Sequence, residues 1–331
     1  MPNIAGRLAI MAPVSHAIAD AMHFGPQSNG SAGLVLAAYM GFSQVSYMFL
    51  TGATGNIFGW NLLPGSARGA FGWGSWALAA LPAGLCMLAV LWGALQLLFP
   101  LNAREPAWIS PQTPDTQLEV LGPLTRQEWI SLAVLGAALV GWVGKPLHGV
   151  AEAWVTLGAF LVFLMTGVLD RQGLRTSIDW GFLPFFGVVS SLAVMVPHLE
   201  VDRWVISSLE PVLSRVSSGP LPFLVAALLL TYAVRVFLNK FPAIILMSLG
   251  LSAWAQGMGI HPGILLLVIL MAVDCWFFPY QDTNYQIAYY GTHEKAFSHA
   301  HGRRLMVAKF LASLLAVALS VPAWRLLGWI R

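Results

Sequence analysis

Along this chain, long apolar runs alternate with short stretches rich in Gly, Pro, Asn and charge. The runs Leu78–Phe99, Trp129–Val143, Trp154–Leu169, Leu221–Val234 and Ala308–Leu319 approach or reach the roughly 20 residues an α-helix needs to cross about 30 Å of hydrocarbon. Each is predicted to be a helix within a bilayer, because a helix satisfies its own backbone N–H and C=O groups where water cannot. Loops are predicted between Gly25 and Gly33, Pro64 and Gly74, Pro100 and Gln127, Lys145 and Gly149, Asp170 and Ile178, and Gly291 and Arg304. The longest carries Pro106, Pro111, Pro114 and Pro123 and reads as a polar linker. It ends at Thr125-Arg126-Gln127-Glu128, the spacing of a capping box that opens a helix. Between Pro197 and Ser218, Glu200, Asp202, Arg203, Glu210 and Arg215 alternate with Val205, Ile206, Leu209, Val212 and Leu213, the pattern of a helix lying in the membrane interface.

Composition supports this reading. Of 331 residues, 57% are hydrophobic and 9% are Asp, Glu, Lys or Arg, whereas a soluble domain carries about a quarter charged residues. The net charge of +3 is spread over loops without a nucleic-acid-like patch. If spans alternate, Arg104, Arg126, Arg171, Arg175, Lys295, Arg303 and Arg304 share one side, and the positive-inside rule puts that side in the cytoplasm. Cys86 and Cys275 stand far apart in apolar stretches, so neither a disulfide framework nor a thiolate metal site is indicated. The opening residues lack a signal peptide's positive region and cleavage site, and the chain instead starts within a helix-like element.

One polar pattern occurs twice. Pro2-Asn3-Ile4-Ala5-Gly6-Arg7 leads into an apolar helix, and a later span is interrupted by Leu50-Thr51-Gly52-Ala53-Thr54-Gly55-Asn56. Further on, Leu238-Asn239-Lys240-Phe241-Pro242 leads into a helix, and Phe278-Pro279-Tyr280-Gln281-Asp282-Thr283-Asn284 interrupts the next span. Both read as a tip, a helix, a short loop, a half-span and a break ending in Asn. Broken helices of paired repeats hold substrate and ions at the bilayer midplane in many secondary transporters. An Asn amide can bind a cation through its oxygen and an anion through its NH₂, Gly and Pro free backbone groups, and half-helix N-termini face an anion with their positive ends.

These tips and breaks, with the segment TSIDWGFLPFFGVVSSLA, resemble the divalent anion:sodium symporter family over essentially the whole chain. The resemblance implies an all-α polytopic membrane protein, an inverted-repeat transporter with re-entrant hairpins and broken helices. It also implies elevator-type transport of di- or tricarboxylates such as citrate, or of sulfate. On it, residues 1–99 hold the first-repeat transport elements, 100–127 the linker, 128–218 scaffold spans and the interfacial helix, and 219–331 the second-repeat elements. Substrate contacts are expected from Asn3, Ile4, Thr54, Asn239, Lys240, Gln281 and Asp282, and sodium sites from Asn3, Gly52, Asn56, Asn239, Tyr280 and Asn284. Where the family carries hydroxyls beside each tip Asn, this chain has Pro2 and Ile4, and Leu238 and Lys240. Family members also have further spans before the first tip, so the expectation here is either a longer reading frame, with a homodimer, or a truncated non-transporting scaffold.

Ionisable groups at membrane depth cost several kcal/mol unless paired or hydrated, which singles out Arg7, Lys240, Asp274 and Asp282. Lys240, directly after its tip Asn, is expected either to supply the charge of a second sodium or to pair with Asp274 or Asp282. His293, Glu294, His299 and His301 fall in a polar loop and read as a solvated turn before a metal site. No nucleophile elbow, zinc-protease helix or Walker loop occurs. The enzyme reading left is an intramembrane hydrolase using Asp274 and Asp282.

Overall fold

A computed structural model describes residues 4–101, 123–176 and 219–331, with a few single positions between 180 and 195. In chain order the helices are α1 (Ile4–Ala21), α2 (Asn29–Tyr39), α3 (Thr54–Asn61), α4 (Gly65–Ala70), α5 (Trp73–Leu98), α6 (Arg126–Val143), α7 (Glu152–Met165), α8 (Arg171–Thr176), α9 (Pro220–Phe237), α10 (Lys240–Gly257), α11 (Pro262–Val273), α12 (Thr283–Gly291) and α13 (His299–Leu326). Among the described residues there is no strand, only an isolated antiparallel bridge between Ile260 and Ile330. The chain forms two compact units, one made of Met1–Trp108 with Val189–Arg331 and the other of Ile109–Val188.

In the first unit, α5, α9 and α13 are long and apolar enough to cross a membrane, and they contain or closely match three of the predicted spans. The protein is an all-α polytopic membrane protein. Leu78, Leu81, Leu85, Leu88 and Trp92 of α5 and Val307, Leu311, Leu315 and Leu319 of α13 are exposed. Their three- and four-residue spacing gathers them into stripes suited to lipid. By contrast, α11 is apolar all round and every one of its residues is buried, which makes it the axis of the unit.

The repeat is visible in the backbone. After α2 comes a π turn at Met40–Gln44, then 3-10 turns at Ser46–Met48 and Leu50–Gly52, then α3. After α11 comes a 3-10 turn at Pro279–Gln281, then α12. Phe49 (φ −120°, ψ 134°) and Phe278 (φ −119°, ψ 136°) enter these turns in nearly the same conformation. Gly52 N donates to Phe49 O at 2.8 Å, and Gln281 N to Phe278 O at 3.0 Å. Leu50–Gly52 thus corresponds to Pro279–Gln281, and Ala53 to Asp282. In this register Asn284 stands opposite Gly55 and Asn56 opposite Tyr285, one position away from the Asn-to-Asn match suggested by the sequence.

The two repeats pack crosswise. Helix α1 of the first lies against α12 of the second, and α10 of the second lies against α3 of the first. The long helices α5 and α13 pair along their length, with Trp324 Nε1 donating to Ala79 O at 2.7 Å. This exchange brings both breaks and the second tip into one region.

In the second unit, α6 begins with the expected capping box: Glu128 N donates to Thr125 Oγ1 at 3.3 Å and Thr125 N to Glu128 Oε2 at 2.6 Å. It packs on α7, and a side chain at Gly141 would collide with Val155. Short helices occupy some predicted loops: α4, α8 and a turn at Lys145–His148. The expected interfacial helix at 197–218 lies outside the described residues.

Candidate substrate site at two helix breaks

The first break is a compact backbone loop. Asn56, fully buried at the start of α3, donates through Nδ2 to Ser46 O and Phe49 O, both at 2.9 Å. Gly52 is required by its surroundings, since a Cβ there would come within 2.2 Å of Ser46 O. Its carbonyl is not free: Arg7 of α1 donates to it through Nη2 at 2.6 Å and stands 5.9 Å from the Phe42 ring centroid. Arg7 Nε and Asn56 Oδ1 are buried without a hydrogen-bond partner among the described residues.

The second break is held by Gln281 and Arg235. Gln281 Oε1 accepts from Phe277 N and Phe278 N at 2.8 Å each, and its Nε2 donates to Arg235 O at 2.9 Å. Arg235, buried near the end of α9, donates to Val273 O at 2.9 Å, Leu238 O at 2.8 Å and Gln281 O at 2.6 Å. One guanidinium therefore fastens the end of α11, the second tip and the second break to one another. Its five N–H donors in a planar fork suit that task.

Two acidic groups share this region with different partners. Asp274, the C-cap of α11, is ion-paired with Lys240, the first residue of α10. The lysine stem crosses Gly55, where an added Cβ would lie 2.7 Å from Lys240 Cε. Asp282, the N-cap of α12, accepts from Asn284 N at 2.8 Å and from the Tyr39 hydroxyl. Tyr39 in turn accepts from Trp276 Nε1 at 2.9 Å and Gln44 Nε2 at 2.7 Å, and Gln44 Oε1 accepts from the fully buried Lys309 of α13. All donors in this chain run from Lys309 toward Asp282, so its dipoles reinforce one another. An ammonium and a carboxylate are thus paired through an amide and a phenol.

Of the residues expected from the sequence, Asn3 lies outside the described residues. Ile4 is buried in α1, Thr54 is half-buried at the start of α3, and Asn239 is an exposed N-cap of α10 with no side-chain capping bond. Lys240, Gln281, Asp282, Gly52 and Asn56 converge on the breaks as described. Tyr280 is 63% exposed and donates to Val236 O at 3.0 Å, and Asn284 is half-buried. Gln281 braces the turn with its whole side-chain amide. His299 stacks on Tyr289 at 4.2 Å and shares a 2.7 Å hydrogen bond with Tyr285, while His301 caps α13 at Ser298. Arg235 and Lys309 were missed, although each is an ionisable residue inside an apolar run, the signal that selected Lys240.

Comparison with known proteins decides the family. The sequence profile described as "Sodium:sulfate symporter transmembrane region" matches residues 2–330. The chain belongs to that family. Inner membrane protein YbhI of Escherichia coli is 26% identical over 274 residues, covering 81% of this chain and 57% of that protein. Dicarboxylate transporter 1, chloroplastic, of Arabidopsis thaliana is 27% identical over 172 residues, 52% of this chain and 31% of that one. Its namesake from Spinacia oleracea is 25% identical over 247 residues, 74% of this chain and 43% of that one. The chain thus spans about half, or less, of the length of these relatives. The sodium:sulfate symporter family and the dicarboxylate transporters are transport proteins, not enzymes, so the hydrolase reading falls; Asp274 and Asp282 also have separate partners.

The family's name raises sodium, a hard cation that takes several oxygen ligands. Among the described residues, two oxygens at the breaks already carry a cation. The Gly52 carbonyl already receives Arg7, and Asp274 already receives Lys240. Asn239 and Tyr280 are exposed. In the first break a sodium ion would satisfy Asn56 Oδ1 but not the unpaired N–H of Arg7, and would sit near a like charge.

Proposed function

We propose that this chain forms the substrate-bearing core of a secondary transporter for small divalent anions, di- or tricarboxylates or sulfate. It would work by elevator-type alternating access in a cell membrane. The observation that carries this reading is the charge gathered at the two breaks: Arg7, Arg235, Lys240 and Lys309 against Asp274 and Asp282. With all six ionised, two positive charges are left over. Isolated charge is expensive in hydrocarbon, and a dianion is the ligand that balances this excess. The N-termini of α3, α10 and α12 lie at the same breaks and tip and add partial positive charge.

Thr54, Asn239 and Lys240 are the side chains offered to the substrate, with Gln281 and Asp282 holding the break in shape. The names of the chloroplast relatives favour dicarboxylates within this class. In the longer relatives, residues beyond the match would supply the scaffold against which this core moves, and a homodimer through that scaffold belongs to the proposal. Counterflow into proteoliposomes preloaded with succinate, 2-oxoglutarate, citrate or sulfate tests it. Saturable uptake of at least one labelled anion is expected, and uptake of none, by correctly folded protein, would overturn it.

A further inference from the structure

We infer that Lys309 is a positioning residue for the second break: through Gln44 and Tyr39 it keeps the carboxylate of Asp282 turned into the fold and away from the anion. This rests on the transport reading above and adds to it a residue that does not touch the substrate. An ammonium has three N–H donors and no acceptor, and an ionised carboxylate only accepts. Lys309 therefore takes the Oε1 side of the Gln44 amide, which leaves Nε2 for the Tyr39 oxygen at 2.7 Å and Ser43 Oγ at 3.1 Å. The Tyr39 oxygen already accepts from Gln44 and from Trp276, so its one hydrogen goes to Asp282. An obligate donor at one end thus dictates the orientation of every group up to the other.

The backbone is shaped for this contact. Tyr39 ends α2, and Gln44 is the last residue of the π turn Met40–Gln44. A π turn brings residues five apart into line, where α spacing matches residues three and four apart. Tyr39 and Gln44 precede the first break, Trp276 and Asp282 flank the second, and Lys309 comes from α13, so one chain of bonds ties both repeats together. Lys309 is fully buried, and among the described residues its single acceptor is an amide and not a carboxylate. Asp282 at the far end is 7% exposed, with Oδ1 on Asn284 N and Oδ2 on the Tyr39 hydroxyl. Without Lys309 the Gln44 amide can flip, present Oε1 to Tyr39 and draw that hydrogen away. A carboxylate short of a donor is then free to turn toward the substrate, whose charge it repels.

The test is calorimetric binding of succinate, 2-oxoglutarate, citrate and sulfate to the full purified chain. Tyr39→Phe removes one oxygen and no charge, and should weaken binding by about tenfold or more. Lys309→Met should weaken it to a similar degree, and the double variant no further, because both cut one chain. Asp282→Asn should restore binding in the Tyr39→Phe protein by removing the loosened carboxylate, a gain larger than it gives in the wild type. If Lys309 acted on the anion through its field alone, Tyr39→Phe would bind as the wild type and the effects of the two variants would add. If the chain served only structure, Asp282→Asn would deepen the loss in Tyr39→Phe. Any of these results, or equal gains from Asp282→Asn in both backgrounds, would overturn the inference and leave the transport reading standing. Binding of no anion by the wild type would overturn both. If Lys309→Met fails to fold, Tyr39→Phe with and without Asp282→Asn decides, because the phenyl ring keeps the packing.

Discussion

The ammonium of Lys240, at the first residue of α10, is paired with the carboxylate of Asp274, at the cap that ends α11. A helix N-terminus repels a cation and a helix C-terminus repels an anion, each by about 0.3–1 kcal/mol when exposed. The pair reverses both preferences, so the attraction between the two charges offsets both penalties.

Gly55 is the floor beneath that lysine. A methyl group at this position would meet Lys240 Cε at 2.7 Å and Nζ at 3.3 Å. Because the obstacle is the far end of a flexible side chain, Gly55→Ala should cost only about 1 kcal/mol of stability. It should nevertheless lower anion affinity by displacing the charge. Thermal unfolding in detergent alongside calorimetric affinity separates the two effects.

Asn56 holds the first break closed through its bonds to Ser46 O and Phe49 O. Removing the amide would leave Ser46 O without this donor and Phe49 O with the Gly52 N–H alone, at about 1–3 kcal/mol for an acceptor left buried and unpaired. Asn56→Ala is expected to lower thermal stability strongly. Asn56→Asp removes the same donors and adds a negative charge, and should be worse, with both compared by unfolding temperature.

Arg235 serves three carbonyls at once. An ammonium is a point charge without the fork, so Arg235→Lys keeps the charge yet cannot reach all of them. A loss of about 2 kcal/mol or more is expected. Proteolysis near Leu238 should quicken, since the tip loses its anchor.

Gln44 stands between Lys309 and Tyr39. Gln44→Leu would leave a fully buried ammonium with no hydrogen-bond acceptor, a defect worth about 3–5 kcal/mol. The double variant Gln44→Leu with Lys309→Met removes the charge with its partner and should recover much of that loss. A double-mutant cycle read by unfolding in detergent checks both statements, and absence of recovery would show that Lys309 does not depend on Gln44.

Much of this arrangement could be read from the chain alone. Three of the five apolar runs fall on helices long enough to span, because hydrocarbon imposes one length and one backbone solution. The breaks showed themselves as polar residues where none is tolerated without cause, and Thr125 with Glu128 gave a helix start from local spacing alone. The pairing was harder. Whether Lys240 met Asp274 or Asp282 depends on how α10 and α11 lie side by side, which their sequences do not encode locally. The register between repeats was misjudged by one position because Asn56 and Asn284 look alike while their backbones differ in phase. Lys309 and Arg235 were passed over because their partners, an amide and carbonyls, carry no charge to attract notice.

The far end of α10 is held quite differently from its tip. After α10, Gly259 adopts φ +70°, its carbonyl accepts from Arg331 N at 3.0 Å, and His261 N donates to Trp329 O at 2.8 Å around the Ile260–Ile330 bridge. Main-chain bonds thus clamp one end of the helix, while the other is held by side chains, the Lys240–Asp274 ion pair and the Arg235 bond to Leu238 O. A rod fastened at both ends is a strut, and α10 sets the distance between the second tip and the chain's final residues.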